Sequence, residues 1–566
     1  MTGLLQGLTS YSDEGFSAYL RQVFLASAGF EDRDMSRPVV GICHTMSDYT
    51  TCHRDMPQLV QAIASGVLEA GGLPMAFGSM SLPEALVEPT TMLYRNLLAM
   101  ETEELIRSQP MDAVVLVGGC DKTVPAQLMA AISADMPCVQ VVVGPMMTGS
   151  WRGERVGACT DCRRLWAARR AGELPEQDLR EARDQLAPTA GTCMVMGTAS
   201  TMAVVAEVLG LAPAGSATAP SPTGDRLRAG RRSGRLAVRV ARRQLRPSAL
   251  LSAGSFRNAA VAIAGVGGST NAVIHLLAIA RRTGADFTLA DIEDAWRDVP
   301  VVVDCKPVGA GYFPDLHDDG GVPAVLRQLR EFLDLDARTV DGLSVRDLVE
   351  SGAKTSPSAM TTRVLRTTAA PVSPPGGLRI LRGSLAPDGA LIKAAAATLE
   401  LRRHRGRAVT FNSAADVIAR LDDPRLEIAD SDVLVLRYVG PVAAGMPEAG
   451  APPVPARLAQ RGVRDLLRIS DGRMSGTSFG SVILHVAPEA AVGGPLALVQ
   501  DGDQIAVDVD AGRLDLLVDS RELRRRRAGW RPPPQPARGW RNLYARTVLQ
   551  ASQGADLDFL TSTGRG

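Results

Sequence analysis

The chain has 566 residues, 45% of them hydrophobic, so it can bury a large core and two or more domains are expected. With 62 Lys and Arg against 61 Asp and Glu, the net charge of +1 gives no general attraction to nucleic acid or to an anionic membrane. No charge-free run of about twenty apolar residues is present, and the opening MTGLLQGLTSYSDEGFSAYL lacks a basic segment followed by an apolar one. Eight cysteines are few for this length, so reduced thiols in a cytoplasmic setting are expected rather than a disulfide framework.

Residues 11–35 carry scattered apolar positions and suggest a helical lead-in. RPVVGIC (37–43) reads as a short strand, followed by the polar loop HTMSDYTTCHRD with Cys52. Met56 to Ala70 has helical spacing, with Pro57 tolerated in the first turn. GGLPMAFGS (71–79) is a turn and a short extended piece that delivers Glu84, then a helix with Leu93, Leu97 and Leu98 on its apolar face.

The centre of the chain is VVLVGGCDKTVPAQ (114–127). Four apolar residues read as a buried strand, Gly118 and Gly119 end it, and Cys120, Asp121 and Lys122 sit on the turn before the next helix. Such a turn is well placed for chemistry because a sheet holds it rigid. Sulfur suits iron or zinc and carboxylate oxygen suits magnesium; the alternative is a tight turn with a buried free thiol and a solvated Asp–Lys pair. Lys122 is one of only four lysines, with 306, 354 and 393. Met111–Val117 and Cys138–Val143 are further strands, and the strand–helix alternation argues for an α/β region with a mostly parallel sheet.

Cys159 and Cys162 form the only CxxC, redox-active or half of a metal site in principle; without a second CxxC a structural role is expected. After Cys193 comes a small-residue helix ending near Gly210. Arg226 to Arg246 is arginine-rich, but Leu236, Val238 and Val240 and the lack of interleaved aromatics indicate a solvated helix face. IAGVGGSTNAVIHLLAIA (263–280) is a glycine turn, a polar cap and an apolar helix, whose exposed amides can receive an anion. TTAAPVSPPGG (367–377) reads as a linker. Beyond it, Ile505, Val507 and Val509 alternate with polar residues, as do Leu514, Leu516 and Val518 across a DAG turn, a hairpin pattern. RELRRRRAGWRPPPQPARGW reads as a solvated helix end and a surface loop. The expected architecture is α/β: a parallel-sheet α/β domain over 1–370, then a smaller β-rich, barrel-like domain over 377–566.

Spacing alone does not join Cys52, Cys120 and Cys193. The motifs around them do: YTTCH, GGCDKT, GTCMVMGTAST, GGSTNAVIHL, GSLAPDGALIK, GMPE and ISDGRMSGTSFG. Over about residues 8–550 the chain resembles the dihydroxy-acid and sugar-acid dehydratase family. The resemblance implies that Cys52, Cys120 and Cys193 hold a [2Fe–2S] cluster, and that Glu84, Asp121 and Glu448 bind Mg2+. It implies that Lys122 is carbamylated as a further ligand, that Ser475 is the base, and that Thr477 contacts substrate. Three cysteines leave one iron position open, and an open iron is a Lewis acid.

The chain departs from the family pattern at His44–Thr45, at Thr51 before Cys52, in PSPTGDRLRAG and in DLHDDGG. GTCMVMGTAST and TDCRRLW favour the sugar-acid side over the branched-chain side, which tends to carry GSCxGMxTANxM. The expected activity is dehydration of a polyhydroxy acid, an aldonate such as L-arabinonate or D-xylonate, to the 2-oxo-3-deoxy acid. The alternatives are the dihydroxy-acid dehydratase of valine and isoleucine synthesis and, remotely, a non-catalytic iron–sulfur protein. Ser47, Asp48, Thr51, Thr477 and Ser478 are the candidates for reading distal hydroxyls. A homodimer or homotetramer is implied, with no nucleic-acid or membrane partner.

Overall fold

The computed structural model describes residues 3–350 and 364–560. The helical lead-in is α1 (Glu14–Ser27), started by Asp13, whose carboxylate accepts from the Phe16 amide. Strands β1 (Val39–His44), β2 (Leu73–Gly78), β3 (Ala113–Gly118) and β4 (Cys138–Val142) form a parallel sheet in the order β2-β1-β3-β4. Every residue of β3 is buried, as a continuous apolar strand in a sheet covered on both faces requires. The crossovers are α2 (Met56–Glu69), α3 (Met92–Ser108) and α4 (Thr123–Ser133). From β1 the chain runs to β2 on one side and then to β3 on the other, so the β1 and β3 carboxyl ends flank a topological switch point, the position where open α/β sheets bind ligands.

After β4 comes the hairpin β5 (Gly149–Trp151) and β6 (Glu154–Val156), then α5 (Thr160–Arg170) and α6 (Glu176–Leu186). Helices α7 (Thr198–Val208), α8 (Gly224–Arg243), α9 (Pro247–Leu250), α10 (Ala253–Gly265) and α11 (Asn271–Arg282) complete the cover of the sheet. The arginine-rich segment is α8, with Leu236, Val238 and Val240 buried and Arg231 and Arg235 paired with Glu69. Arg226 is the exception: it is buried and donates to the Ala219 carbonyl. Helices α2 and α8 touch backbone to backbone at Gly66 and Gly234, where an added Cβ would lie 2.0 Å from the Arg231 carbonyl oxygen and 2.1 Å from that of Ile63.

The second sheet holds β7 (Arg379–Leu381), β8 (Gly389–Ile392), β9 (Arg403–Phe411), β10 (Val433–Leu436), β11 (Leu467–Ser470), β12 (Val482–Ala487), β13 (Gln504–Asp508) and β14 (Arg513–Leu516). Its order is β14-β13-β9-β10-β11-β12-β8-β7, parallel from β9 to β12 and antiparallel elsewhere. A bridge between Arg382 and Arg513 joins the two end strands and rolls the sheet into a barrel. The hairpin expected across the DAG turn is β13–β14, with Ile505, Val507, Leu514 and Leu516 inside.

Two connections differ from the sequence reading. The proline-rich segment read as a linker is tied down: the Val301 amide donates to the Ser373 carbonyl at 2.9 Å and the Val372 amide to the Val301 carbonyl at 2.8 Å. The end of the chain returns from the barrel to α3 and α11. Trp540 Nε1 donates to the Leu93 carbonyl at 2.9 Å, and the buried Arg282 grips Asp556 through two bonds of 2.6 and 3.0 Å.

Gly234→Ala tests the α2–α8 crossing. The backbone there is ordinary helix, so the cost is steric, and a loss of about 1–3 kcal/mol in urea denaturation is expected from forcing the helices apart.

Candidate active site

Four segments leaving the carboxyl edge of the first sheet carry the chemistry. After β1, Cys52 sits on a single helical turn, Thr51–His53. Buried His53 beside it links two of these segments: Nε2 accepts from the Cys120 amide at 3.0 Å, so Nδ1 carries the proton and donates to the Thr45 carbonyl at 2.7 Å. Burial holds the His53 pKa down to about 4, so the ring stays neutral and its tautomer is fixed. After β2, Glu84 accepts from Thr90 Oγ1 at 2.9 Å and from the Thr91 amide and hydroxyl. After β3, Gly119 leaves no room for a side chain, since a Cβ would lie 2.2 Å from Val143, and Thr123 Oγ1 accepts from the Gly119 amide and donates to the Cys120 carbonyl. After β4, Thr192 bridges in parallel to Pro145, which brings in Cys193.

Cys52, Cys120 and Cys193 lie within electrostatic reach of one another, each thiol acting on the ionisation of the others. The three cysteines named from the sequence therefore converge. Cys159 joins them, its Sγ 3.6 Å from that of Cys193. Cys120 lowers the pKa of Cys52, and Cys162 and Cys193 lower that of Cys159, while thiol pairing and burial raise Cys120 and Cys193.

Beside the thiols, carboxylate oxygens of Glu84, Asp121 and Glu448 lie within 4.8 Å of one another. Cys120 Sγ is 3.8 Å from Asp121 Oδ1, so the sulfur and oxygen sites adjoin. Lys122 is fully buried, pairs with Asp121 and stands 3.5 Å from Glu84. Arg473, also fully buried, donates to Glu84 at 2.8 Å, Glu448 at 2.6 Å, Thr90 Oγ1 at 2.8 Å and the Met446 carbonyl at 2.7 Å. Burial alone would raise Glu84; Arg473 and Lys122 overcome it and bring the pKa to about 2. For Glu448 burial wins over Arg473, and its pKa is raised. An all-oxygen acidic set fits a hard divalent cation, and converging thiols fit an iron–sulfur cluster.

Facing these groups is the turn after β11, with Ser475 Oγ 2.8 Å from Thr477 Oγ1. Gly476 must be glycine, because a Cβ would lie 2.5 Å from Ser269 Oγ and 2.7 Å from the Thr198 amide. The starts of α7 and α11 thus press directly on this turn. Asn271 Nδ2 donates to the Met474 carbonyl at 2.9 Å, and Thr160 Oγ1 to the Thr477 carbonyl at 2.9 Å. The polar cap read as a possible anion site instead clamps the serine turn. Lys393, fully buried, donates to the Gly476 carbonyl at 3.3 Å, and burial brings its pKa down to about 7.

The sequence alone gave Arg473, His53 and Lys393 no role. The one signal was their place beside Ser475, beside Cys52 and among four lysines. Of the polar residues offered for distal hydroxyls, Ser47 caps its own turn by accepting from the Tyr49 amide, and Asp48 and Thr51 are exposed. Ser478 is buried, and its hydroxyl has no partner among the described residues.

Two family models cover most of the chain. The N-terminal model of the dihydroxy-acid/6-phosphogluconate dehydratases matches residues 37–348 and the C-terminal model matches residues 363–555. The chain is 43% identical over 528 residues to a 6-deoxy-6-sulfo-D-gluconate dehydratase of Pseudomonas putida, covering 93% of this chain and 91% of the relative. It is 43% identical over 528 residues to an L-arabinonate dehydratase of Rhizobium leguminosarum, covering 93% and 90%. It is 36% identical over 544 residues to a dihydroxy-acid dehydratase of Moorella thermoacetica, covering 94% and 97%. The chain belongs to the dihydroxy-acid/6-phosphogluconate dehydratase family.

Two variants test the electrostatics. Arg473→Met leaves two partly buried carboxylates without their shared cation, and a loss of about 1–3 kcal/mol, below that of a fully buried pair, is expected in denaturation of metal-free protein. Lys393→Met should change the pH dependence of melting. The folded pKa of about 7 lies below the ordinary lysine value of 10.5, so between these values the unfolded chain holds a proton that the folded chain has released. Wild-type stability therefore gains from this group as pH rises from about 7 to about 10.5. The variant should melt above wild type below about pH 7 and lose that advantage toward about pH 10.

Proposed function

We propose that this chain removes water from an aldonate, a 2,3-dihydroxycarboxylate with further hydroxyls such as L-arabinonate or D-xylonate, to give the 2-oxo-3-deoxy acid. The observation that carries this reading is the adjacency of the acidic oxygen cluster, the thiol cluster and Ser475. Relatives at 43% identity named as sugar-acid dehydratases support the aldonate over 2,3-dihydroxyisovalerate, whose named dehydratases stand at 36–37%.

Glu84, Asp121 and Glu448 would hold Mg2+, and Cys52, Cys120 and Cys193 a [2Fe–2S] cluster. When bound, these groups supply Lewis acidity toward the substrate carboxylate and 2-hydroxyl and toward the 3-hydroxyl. Three carboxylates against the two cations Lys122 and Arg473 leave one net negative charge. Carbamylation of Lys122 would turn a cation into an anion and make that three, which favours a divalent ion; a guanidinium has no such route.

Ser475 takes the proton from C2. An ordinary serine is too weak a base, so its oxygen must be stabilised as an anion. The Thr477 hydroxyl at 2.8 Å can donate to it, and the Lys393 ammonium behind Gly476 adds positive charge on the same turn. The electron pair left at C2 forms the C2–C3 double bond as the C3–O bond breaks. The departing oxygen takes a proton to leave as water, and the enol becomes the 2-oxo acid. Ser478, buried with its hydroxyl unpaired, is the best placed of the polar candidates to meet a distal hydroxyl.

The proposed assembly is a homodimer or homotetramer. Support comes from the exposed Phe16, Tyr19, Val23 and Phe24 of α1, which leave an apolar strip open on a single chain. The proposed setting is cytoplasmic; among the described residues no helix is long and apolar enough to cross a membrane.

Assays on L-arabinonate, D-xylonate and 2,3-dihydroxyisovalerate test the substrate class. A kcat/KM roughly ten- to hundredfold higher for an aldonate is expected, because each buried hydroxyl-reading group left unpaired costs about 1–3 kcal/mol. A higher value for the branched-chain acid would move the enzyme to valine and isoleucine synthesis. Stripping divalent metal should stop turnover while iron–sulfur absorption remains, and Lys122→Arg should be inactive.

A further inference from the structure

The CxxC at Cys159 and Cys162 has no part in the reading above, yet the fold places it against the proposed cluster. Cys159 precedes the first turn of α5, and its Sγ stands 3.6 Å from that of Cys193. Two thiolates on one tetrahedral metal, with metal–sulfur bonds of about 2.3 Å, sit about 3.8 Å apart. Cys52 and Cys120 are the other two thiols of the group, close enough that each shifts the ionisation of the other. Two pairs of thiols, one for each iron, make up the four-cysteine set of a [2Fe–2S] centre.

The position of Cys159 is held from several sides. Gly157 packs against Met194, where a Cβ would lie 2.4 Å from its sulfur, so the chain before Cys159 is fitted to the chain after Cys193. Thr160 Oγ1 donates to the Thr477 carbonyl. Asp161, fully buried, accepts from the Gly157 amide at 2.9 Å, from Lys306 Nζ at 2.9 and 3.0 Å and from the Tyr312 hydroxyl at 2.8 Å. This buried polar clamp ties the Cys159 turn to the Lys306–Tyr312 segment. Cys162, one turn further on, is half-buried between Val156, Leu165, Ala182 and Leu186 on one side and the apolar residues around Cys159 and Cys193 on the other.

We infer that Cys159 is the fourth thiolate ligand of the cluster in the substrate-free enzyme, on the iron that also takes Cys193. This rests on the proposed cluster at Cys52, Cys120 and Cys193. The ligation is an exchange without electron transfer. The Cys159 thiol gives up its proton to solvent and its sulfur occupies the fourth position; when a substrate hydroxyl competes for that position the sulfur is reprotonated, and iron keeps its oxidation state throughout.

The test uses full-length protein with reconstituted cluster, compared as wild type, Cys159→Ala and Cys162→Ala, each without substrate. Iron and acid-labile sulfide are measured together with visible absorption and Mössbauer spectra. Wild type should show two nearly equivalent iron sites. Cys159→Ala should show one altered site, or should lose iron while its metal-free form melts as wild type does; Cys162→Ala should match wild type. Adding substrate should alter the wild-type spectrum and leave that of Cys159→Ala closer to its substrate-free form. Iron content and spectra of Cys159→Ala identical to wild type would overturn the assignment and leave the three-cysteine cluster standing. Absence of iron and sulfide from reconstituted wild type would instead remove the cluster itself.

Discussion

The Arg473 guanidinium, with no solvent exposure, bonds Glu84 from the first sheet and Glu448 from the barrel side. It is the interaction on which the site depends. Carboxylates brought within 4.8 Å of one another repel, and in a low-dielectric interior that repulsion would push the two sheets apart or protonate the acids. A buried ion pair seldom adds net stability, because desolvation takes back much of the Coulomb gain. Its value here is positional: it holds acidic oxygens at cation-binding separation before any cation arrives. The planar fork of arginine reaches both carboxylates at once, which a lysine ammonium does less well.

Both sheets are used at the same end. Cys52, Glu84 and the Cys120–Lys122 turn follow β1, β2 and β3, and Cys193 is delivered by pairing beyond β4. On the barrel, Glu448 follows β10 and the Arg473–Thr477 turn follows β11, strands that lie side by side and parallel. Parallel strands put their carboxyl ends, and so their loops, on one edge. Two such edges facing each other enclose a site that neither sheet could form alone. The starts of α7 and α11 then press on the serine turn closely enough that only glycine fits at 476, so its geometry is set by packed helices rather than by loop preference.

Much of this was legible in the sequence because it is local. The apolar RPVVGIC marked β1, a continuous apolar run ended by glycines marked β3, alternation marked β13–β14, and the motifs around Cys52, Cys120, Cys193, Glu84 and Glu448 marked residues that the fold does bring together. What was not legible depends on long-range closure. Nothing near Arg473 in the chain indicates that it will meet Glu84, a partner 389 residues away. Cys159 and Cys193 are separated by 34 residues that include two helices, so their contact appears only when the hairpin and α5 fold back on the Cys193 segment. The segment 367–377 has linker composition, but its Val372 amide and Ser373 carbonyl pair with both backbone groups of Val301, a long-range match that composition does not show.

The lysines show how an arginine-rich chain reserves a side chain for particular tasks. Lys122, Lys306 and Lys393 all lie at or near the site, and each does something that a guanidinium would do poorly. Lys306 fits a compact ammonium between Asp161 and the Tyr312 ring, in a space closed by the Cys159 turn. Lys393 is a buried cation that donates to a carbonyl, a position in which it can lose its proton near neutral pH, as arginine cannot. Lys122 stands among three acids, where its amine alone offers a route from cation to anionic ligand. The charge at the centre of the fold is therefore adjustable at Lys393 and fixed at Arg473. The fixed charge keeps the carboxylates together, while the adjustable one bears on the serine turn.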